Sequence, residues 1–346
     1  MVVLTHYAAF LPAAPAGFGY LWTGVDFFFV ISGYVFAPML LVSHNARPRP
    51  APRYALLPFW LRRFFRIYPL YLLALCAYAV AMPADAMKDV YFLRHLAFLH
   101  TTSSFEEAYY FNPAFWSLPV EMEFYLMLPL LALLRARPRA LAAVFAATLA
   151  LSLCANYLRG PGVDMWRLLS VHLPTILPEF LLGTLLAWAV AQGKQAEWHW
   201  RSPPALLAFG GGVALVIFTY LVKYGGLGWE QYRVLDAPWN FLCAAAYALL
   251  MYPLLLTHEI RWPAWLRQTA LFAGASSYGV YLFHNLMPRL LSQFGMEAEG
   301  VGFVLLAFLL TVALALLLYR YYENPLRRYG RDLAHRVTQQ QAVKPA

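Results

Sequence analysis

Apolar runs of about twenty residues recur along almost the whole chain, and they constrain its fold more than any other feature. A helix needs roughly 20 such residues to cross about 30 Å of hydrocarbon, where its backbone polar groups must be paired internally. Because only short polar stretches separate the runs, a soluble domain with a single anchor is excluded. The sequence therefore predicts an all-α integral membrane protein that forms one helical bundle.

The runs predict nine full spans and part of a tenth. Residues 1–12 are apolar but too short to cross alone, and they lack the basic start of a signal peptide. We interpret them as the end of a truncated first helix, which predicts a bundle of ten transmembrane helices. The full spans are expected near residues 22–43, 64–82, 115–134, 139–158, 172–192, 204–222, 238–257, 270–290 and 301–320.

The distribution of basic residues supports this count. With a cytoplasmic N-terminus, 19 of the 26 Lys and Arg residues fall in inner segments. This asymmetry follows the positive-inside rule for ten spans and predicts that both termini are cytoplasmic. The seven basic residues assigned to outer segments are Lys88, Arg94, Arg159, Arg167, Lys223, Arg233 and Arg289.

Composition and chain organisation agree with this topology. The chain is 62% hydrophobic and 12% charged, against about 25% charged in ordinary soluble domains. The net charge of +9 is explained by topology, so no nucleic-acid partner is predicted. The three cysteines lack metal-ligand or disulfide spacing, so no metal site is predicted. We expect one transmembrane domain over residues 1–330 and a disordered cytoplasmic tail over residues 331–346.

Two carboxylates interrupt the apolar stretch "FWSLPVEMEFYLMLPLL", which covers residues 115–131. A charge at the centre of a membrane helix costs about 3 kcal/mol on insertion scales, so such residues face a protein interior or a watery path. Glu121 and Glu123 are about 200° apart around a helix and cannot share one face. Glu121 can share a face with Tyr125, four residues later, so Glu123 needs a different partner.

The predicted topology brings titratable groups from four helices to a similar depth in the outer half of the membrane. They are His6, Asp26, Glu121 and His284. Histidine and carboxylate together can move protons near neutral pH. Three of these residues also have a structural explanation. It is packing for His6, capping of a helix start for Asp26, and a pair with an interior arginine or hydrogen bonds to tyrosines for Glu121. For His284 and for Glu179, packing in the bundle is the favoured interpretation.

At the inner end of the third span, "FWLRRFFRIYPLY" covers residues 59–71. Arg63 and Arg66 are three residues apart and share one helical face. Their forked guanidinium groups are suited to the phosphates of a ligand. The alternative is that both arginines anchor the helix end in the lipid headgroups.

Five sequence blocks resemble, in family order, the signatures of the bacterial membrane acyltransferase-3 family, the O-acetyltransferases of the OafA type. The similarity covers essentially the whole chain. The blocks are "GVDFFFVISGYVF" (24–36), "FWLRRFFRIYPLY" (59–71), "FWSLPVEMEFYLMLP" (115–129), "SSYGVYLFHNLM" (276–287) and "YYENPLRR" (321–328).

This resemblance implies ten helices in the bacterial inner membrane, an acyl-CoA donor taken from the cytoplasm, and transfer of its acyl group, usually acetyl, to a carbohydrate hydroxyl at the outer face. It assigns catalytic roles to His6, Asp26 and Glu121, and CoA binding to Arg63 and Arg66. In one respect the chain differs from the family pattern, because an essential arginine about three turns before the histidine would fall upstream of the first residue.

The predicted function is therefore O-acylation of a cell-surface, exported or lipid-linked glycan by an enzyme in contact with membrane lipid. His6 would remove the proton of the acceptor hydroxyl, with Asp26 or Glu121 orienting the imidazole, and an acyl-histidine intermediate is an open variant. Two alternatives remain at this stage. Intramembrane histidine and carboxylates also serve proton-coupled transporters and flippases, and the missing arginine favours a noncatalytic component of a polysaccharide assembly complex.

Overall fold

The computed structural model describes residues 1–41, 56–83, 85–159, 164–225, 233–257 and 263–343. Within these ranges all regular secondary structure is helical. The long helices are α2 (Gly24–Leu40), α3 (Leu56–Ala81), α6 (Ser117–Leu131), α7 (Pro138–Leu158), α9 (Leu173–Gln195), α10 (Pro203–Tyr224), α12 (Trp239–Leu256), α13 (Ala264–Phe283), α15 (Gly300–Leu318) and α16 (Asn324–Val343). Between them lie the short helices α1 (Val2–Tyr7), α4 (Lys88–Leu96), α5 (Phe105–Tyr109), α8 (Asp164–Leu169), α11 (Arg233–Asp236) and α14 (Leu286–Gln293).

The bundle confirms an all-α, multi-pass membrane protein. In the described ranges, eight helical segments are long and apolar enough to cross a membrane. They coincide with eight of the nine full spans predicted. The exception is the span predicted at residues 270–290, where α13 ends at Phe283 and the chain restarts as α14 at Leu286. The predicted count of ten is therefore not confirmed.

The C-terminal segment differs from the expected disordered tail. Where residues 331–346 were expected to be disordered, α16 is helical to Val343, beyond which the structure is not described. The reason is packing against α3. Ala334 is fully buried, and an added Cβ at Gly330 would lie 2.5 Å from the Cβ of Phe65. An amphipathic helix with a buried face is stabilised by that contact.

The closest helix crossing joins α2 and α9 through two glycines. A Cβ added to Gly33 would lie 1.8 Å from the carbonyl oxygen of Phe180, and one added to Gly183 would lie 2.0 Å from that of Val30. The Thr184 hydroxyl donates to the Gly33 carbonyl at 3.3 Å. Small residues let membrane helices pack backbone to backbone. This close packing matters in lipid because no hydrophobic effect drives the helices together there.

Aromatic rings fill the core where α2, α6 and α9 meet. The ring of Phe180 stacks on Phe124 at 4.0 Å and lies 5.0 Å from Phe29. By contrast, α15 leaves apolar side chains such as Leu305 and Leu309 exposed on its outer surface. Exposed leucines on a long apolar helix are expected where the solvent is lipid.

The segment between α3 and α6 contains two stacked, fully buried histidines. The rings of His95 and His100 are 3.9 Å apart and nearly parallel. His95 Nδ1 lies 2.7 Å from the Tyr91 carbonyl oxygen, and His100 Nε2 lies 3.1 Å from that of Phe115. Burial lowers the pKa of His95 to about 2, with a contribution from His100, and lowers the pKa of His100 to about 4. Both rings are therefore held neutral.

We predict that Gly183→Ala lowers the thermal stability of the chain in detergent. The added methyl group overlaps the Val30 carbonyl oxygen, and overpacking of this kind costs roughly 1–3 kcal/mol. Gly210→Ala is the matched control, because an added Cβ there meets nothing within 4 Å. Equal melting temperatures for the two variants would contradict the α2–α9 contact.

The buried histidines predict acid sensitivity. In the unfolded chain the histidine side chains are protonated below about pH 6.5, whereas in the folded chain His95 and His100 stay neutral down to about pH 4 or below. Stability is therefore full above pH 6.5 and falls as the pH drops towards 4. At pH 5 the loss is on the order of 2 kcal/mol for each histidine.

Denaturation midpoints at pH 7.5 and pH 5.0 test this expectation. His100→Gln removes one of the two titrating groups, so its midpoint is expected to depend less on pH than that of the unsubstituted chain. The exposed His335 provides the control His335→Gln, which is expected to keep the full dependence. An unchanged dependence in His100→Gln would overturn the assignment.

Candidate active site

Arg63 stacks between two aromatic rings at the start of α3. Its guanidinium carbon lies 5.0 Å from the ring centroid of Phe36 and 5.7 Å from that of Tyr125. The Arg63 Nε atom is buried without a hydrogen-bond partner. Stacking on aromatic faces stabilises a guanidinium group and fixes its plane, so this arginine is held with one donor still unsatisfied.

Arg66, one turn later, is paired with a carboxylate that sequence analysis did not single out. Its guanidinium donates to the buried Glu323, which also receives Arg327 at 3.5 Å. Glu323 lies in a π-helical turn, Tyr319–Glu323, between α15 and α16. Such turns are rare and often occur at functional sites. The only earlier signal was the position of Glu323 inside the block "YYENPLRR".

Glu121 belongs to this same arginine cluster, which we define as Arg63, Arg66, Glu121 and Glu323. Its carboxylate accepts a hydrogen bond from the Tyr125 hydroxyl, which confirms the predicted shared face. It is also close enough to Arg66 and Arg63 for their charges to act on it. The cluster therefore combines two cations and two carboxylates in a largely buried setting.

Glu123 has a separate partner, as its position on the helix required. One carboxylate oxygen lies 2.7 Å from His172 Nδ1. The other accepts the backbone N–H of Leu173 at 2.7 Å. Leu173 is the first residue of α9, so Glu123 satisfies an unpaired amide at a helix start, where a carboxylate is favoured.

His6 lies beside His284, with 5.1 Å between ring centroids. His284 Nδ1 is 2.8 Å from the Tyr281 carbonyl oxygen. Because a carbonyl oxygen can only accept a hydrogen bond, Nδ1 carries the proton in this contact. His284 Nε2 is then an acceptor, and it is buried without a partner. Across the described ranges, no hydrogen bond or ion pair joins His6 to Asp26 or Glu121. The structure therefore does not bring the predicted histidine and carboxylates together.

A polar face of α13 connects the arginine cluster with the two histidines. Tyr278 lies under the Arg66 guanidinium at 5.7 Å. Tyr281 donates to the Ala114 carbonyl at 2.6 Å and contacts the Ser117 hydroxyl at 2.6 Å. His284 follows three residues later. At 1.5 Å per residue, the step from Tyr278 to His284 is about 9 Å along the helix.

Asp26 lines a cavity of about 820 Å³ between the helix ends opposite the arginine cluster. It is 1% exposed and receives the Asn240 amide at 3.3 Å. Its carboxyl group faces that of Glu179, which is 5% exposed and lines the same cavity. His6, Arg63, Arg66 and Glu121 do not line it.

Glu179 and His284, for which packing is the favoured interpretation, are buried and each also has a polar neighbour, Asp26 for Glu179 and His6 for His284. The signal for Glu179 was present, because it is an intramembrane carboxylate within an apolar run, as Glu121 is. For His284 no local signal distinguished packing from function. Within the described part of the chain, no group of three or more His, Cys, Asp or Glu side chains is arranged to hold a metal ion.

Comparison with known proteins places these features in a family. The family model described as "Acyltransferase domain" matches residues 1–320. "O-acetyltransferase OatA" of Staphylococcus aureus is 24% identical over 337 residues, covering 89% of this chain and 53% of that protein. "Putative peptidoglycan O-acetyltransferase YrhL" of Bacillus subtilis is 26% identical over 349 residues, covering 91% of this chain and 52% of that protein. "Peptidoglycan O-acetyltransferase OatA" of Listeria monocytogenes is 25% identical over 331 residues, covering 89% of this chain and 51% of that protein.

The chain thus spans about half the length of the curated relatives it matches. No solved structure matches it. Because the match covers residues 1–320, and the five sequence blocks lie in family order on one membrane bundle, the chain belongs to the acyltransferase-3 family of membrane proteins.

Proposed function

We propose that this chain is a membrane O-acyltransferase that moves an acyl group, acetyl in the first instance, from cytoplasmic acyl-CoA to a hydroxyl of a cell-surface or exported glycan. The observation that carries the proposal is the polar face of α13, which leads from the arginine cluster to His6 and His284. The names of the relatives, which include peptidoglycan O-acetyltransferases, support a glycan acceptor.

The donor would enter at the arginine cluster. Arg63 has an unsatisfied donor, and Arg327 adds a third cation beside Glu323. The arginine cluster and Arg327 together contain three guanidinium groups and two carboxylates, so they carry a positive surplus for the phosphates of CoA. Arginine suits this role because its fork matches phosphate geometry. In the inner membrane, with both termini cytoplasmic, this end of the bundle faces the cell interior.

The histidine pair would perform the transfer. His6 takes the proton of the acceptor hydroxyl while the hydroxyl oxygen attacks the thioester carbonyl carbon. The C–S bond breaks, and the CoA thiolate leaves and takes the proton from His6. We assign to His284 the orienting role predicted for Asp26 or Glu121, because its ring lies beside that of His6 and its Nε2 atom is available to accept from the His6 imidazole. Glu121 would hold the arginines, and Asp26 would act on the acceptor side with Glu179. Holding donor and acceptor together in a protected channel supplies much of the rate gain.

We expect His6→Ala to lower acyl transfer at least 100-fold, because general-base catalysis typically contributes about 10²- to 10⁴-fold. Membranes containing the full chain receive acetyl-CoA labelled in the acetyl group, and labelled glycan is measured. His335→Ala, at an exposed position, is the control and keeps wild-type activity. Equal labelling by His6→Ala would remove His6 from the mechanism. Saccharide movement without CoA release would indicate a transporter instead.

Arg66→Gln is expected to raise the KM for acetyl-CoA roughly 10- to 100-fold, the equivalent of one charge-assisted hydrogen bond. This change also leaves Glu323 without its closest ion-pair partner, which is destabilising by itself. The double variant Arg66→Gln/Glu323→Gln removes that charge and separates the two effects. A KM that stays high in the double variant supports donor binding.

The contrary result is equally clear. If the double variant recovers the wild-type KM, Arg66 serves only as the partner of Glu323. Arg201→Gln is the matched control, because Arg201 is exposed and stacks on Trp200 at 4.5 Å, away from the cluster. Its KM is expected to equal that of the unsubstituted chain.

A further inference from the structure

The cavity beside Asp26 is a second polar site that the transfer step itself does not use. Its volume of about 820 Å³ lies within the range of roughly 300–1,000 Å³ typical of small-molecule sites. Its polar, charged and aromatic lining residues come from separate helices, including α2, α7, α9 and α12. A site of this size beside a proposed acyltransferase centre has room for a short saccharide.

The floor of the cavity carries unsatisfied hydrogen-bond acceptors. Asp26 and Glu179 face each other, and one carboxyl oxygen of each is buried without a protein partner. The Asn240 amide holds the other oxygen of Asp26. A buried polar oxygen left without a partner is costly. Hydroxyl groups of a ligand satisfy such oxygens, and a sugar supplies several of them side by side.

The rim has the opposite charge. Arg159 Nη2 and Lys223 Nζ lie 3.1 Å and 3.3 Å from the two carboxylate oxygens of Asp236. Arg167 and Arg233 line the same cavity and are exposed. Among the described residues of the rim, Arg167 and Arg233 thus add positive charge beside the ion-paired Arg159, Lys223 and Asp236. The surplus positive charge at the mouth favours a ligand that carries an anionic group.

Aromatic side chains form the walls between rim and floor. Trp22 stacks on Trp239 with 5.2 Å between ring centroids, which holds its plane. The Arg167 guanidinium lies 4.3 Å from the ring centroid of Phe105. Trp116 lines the cavity, and the next residue, Ser117, contacts Tyr281 on the polar face of α13. The start of α6 is thus a shared wall between the cavity and the proposed path of the acyl group.

From this arrangement we propose that the cavity binds the acceptor, and that the acceptor is an anionic saccharide bearing a carboxylate or a phosphate. The anionic group lies against Arg167 and Arg233 at the rim, and sugar hydroxyls reach Asp26 and Glu179 at the floor. A neutral sugar would leave the rim charges unused. Naming the bound saccharide as the acceptor rests on the proposed function, whereas its binding is measured without any acyl donor.

Calorimetric titration of the full chain in lipid nanodiscs tests the proposal. The probes are trigalacturonic acid, glucose 1-phosphate, neutral maltotriose and inorganic phosphate. We expect the charged sugars to bind at least 10-fold more tightly than maltotriose, and to weaken as salt rises because the rim is open to solvent. Inorganic phosphate is expected to bind more weakly than glucose 1-phosphate, since it lacks hydroxyls for the floor. The two charged sugars separate a carboxylate preference from a phosphate preference.

The variant Arg167→Gln/Arg233→Gln is expected to lose this preference, with affinity for trigalacturonic acid falling roughly 10-fold or more. Arg201→Gln is the control with one exposed arginine removed elsewhere, and it keeps the wild-type affinity. Melting temperatures establish that both proteins are folded.

Several outcomes would overturn the proposal. They are equal affinity for charged and neutral sugars, no saccharide binding at all, or an unchanged preference in the double variant. Displacement of trigalacturonic acid by CoA would assign the cavity to the donor instead. Failure of the proposed function looks different, because charged sugars would then bind normally while labelled acetyl-CoA yields no labelled glycan.

Discussion

The backbone contact between α2 and α9 is the constraint on which the polar interior depends. Gly33 and Gly183 let the two helices touch without intervening side chains. Asp26 lies about two turns before Gly33, and Glu179 lies about one turn before Gly183. The crossing therefore sets both carboxyl groups at the floor of one cavity. A larger residue at either glycine would separate the helices and the carboxyl groups together.

Four buried acids of the bundle are stabilised in three different ways. Glu323 is paired with Arg66, and Glu121 accepts from Tyr125 within reach of two arginines. Asp26 and Glu179 face each other, Asp26 also accepts from the Asn240 amide, and one oxygen of each carboxyl group has no hydrogen-bond partner in the protein. The result is two polar systems on one bundle. The arginine cluster contains ion-paired side chains, whereas no cation is paired with the carboxyl groups at the cavity floor among the described residues.

Local spacing predicted part of this arrangement correctly. The four-residue separation of Glu121 and Tyr125 predicted that they share a face, where the structure shows their hydrogen bond. The 200° turn to Glu123 predicted that this residue needs a separate partner, which the structure identifies as His172. The same reasoning did not find the neighbour of His6, since nothing in the sequence near residue 6 specifies how α1 rotates against α13. The tail was predicted as disordered because its residues are polar, but the packing of Ala334 against the bundle holds it as a helix.

The amino-acid order alone therefore determines the membrane bundle, the approximate limits of most of its helices and which residues share a helical face. These properties depend on hydrophobic length and on the helical repeat, which act within one segment. The pairing of Arg66 with Glu323, of His6 with His284 and of Asp26 with Glu179 joins residues more than 150 positions apart. Such pairs depend on the rotation and depth of whole helices, and only packing in three dimensions selects them.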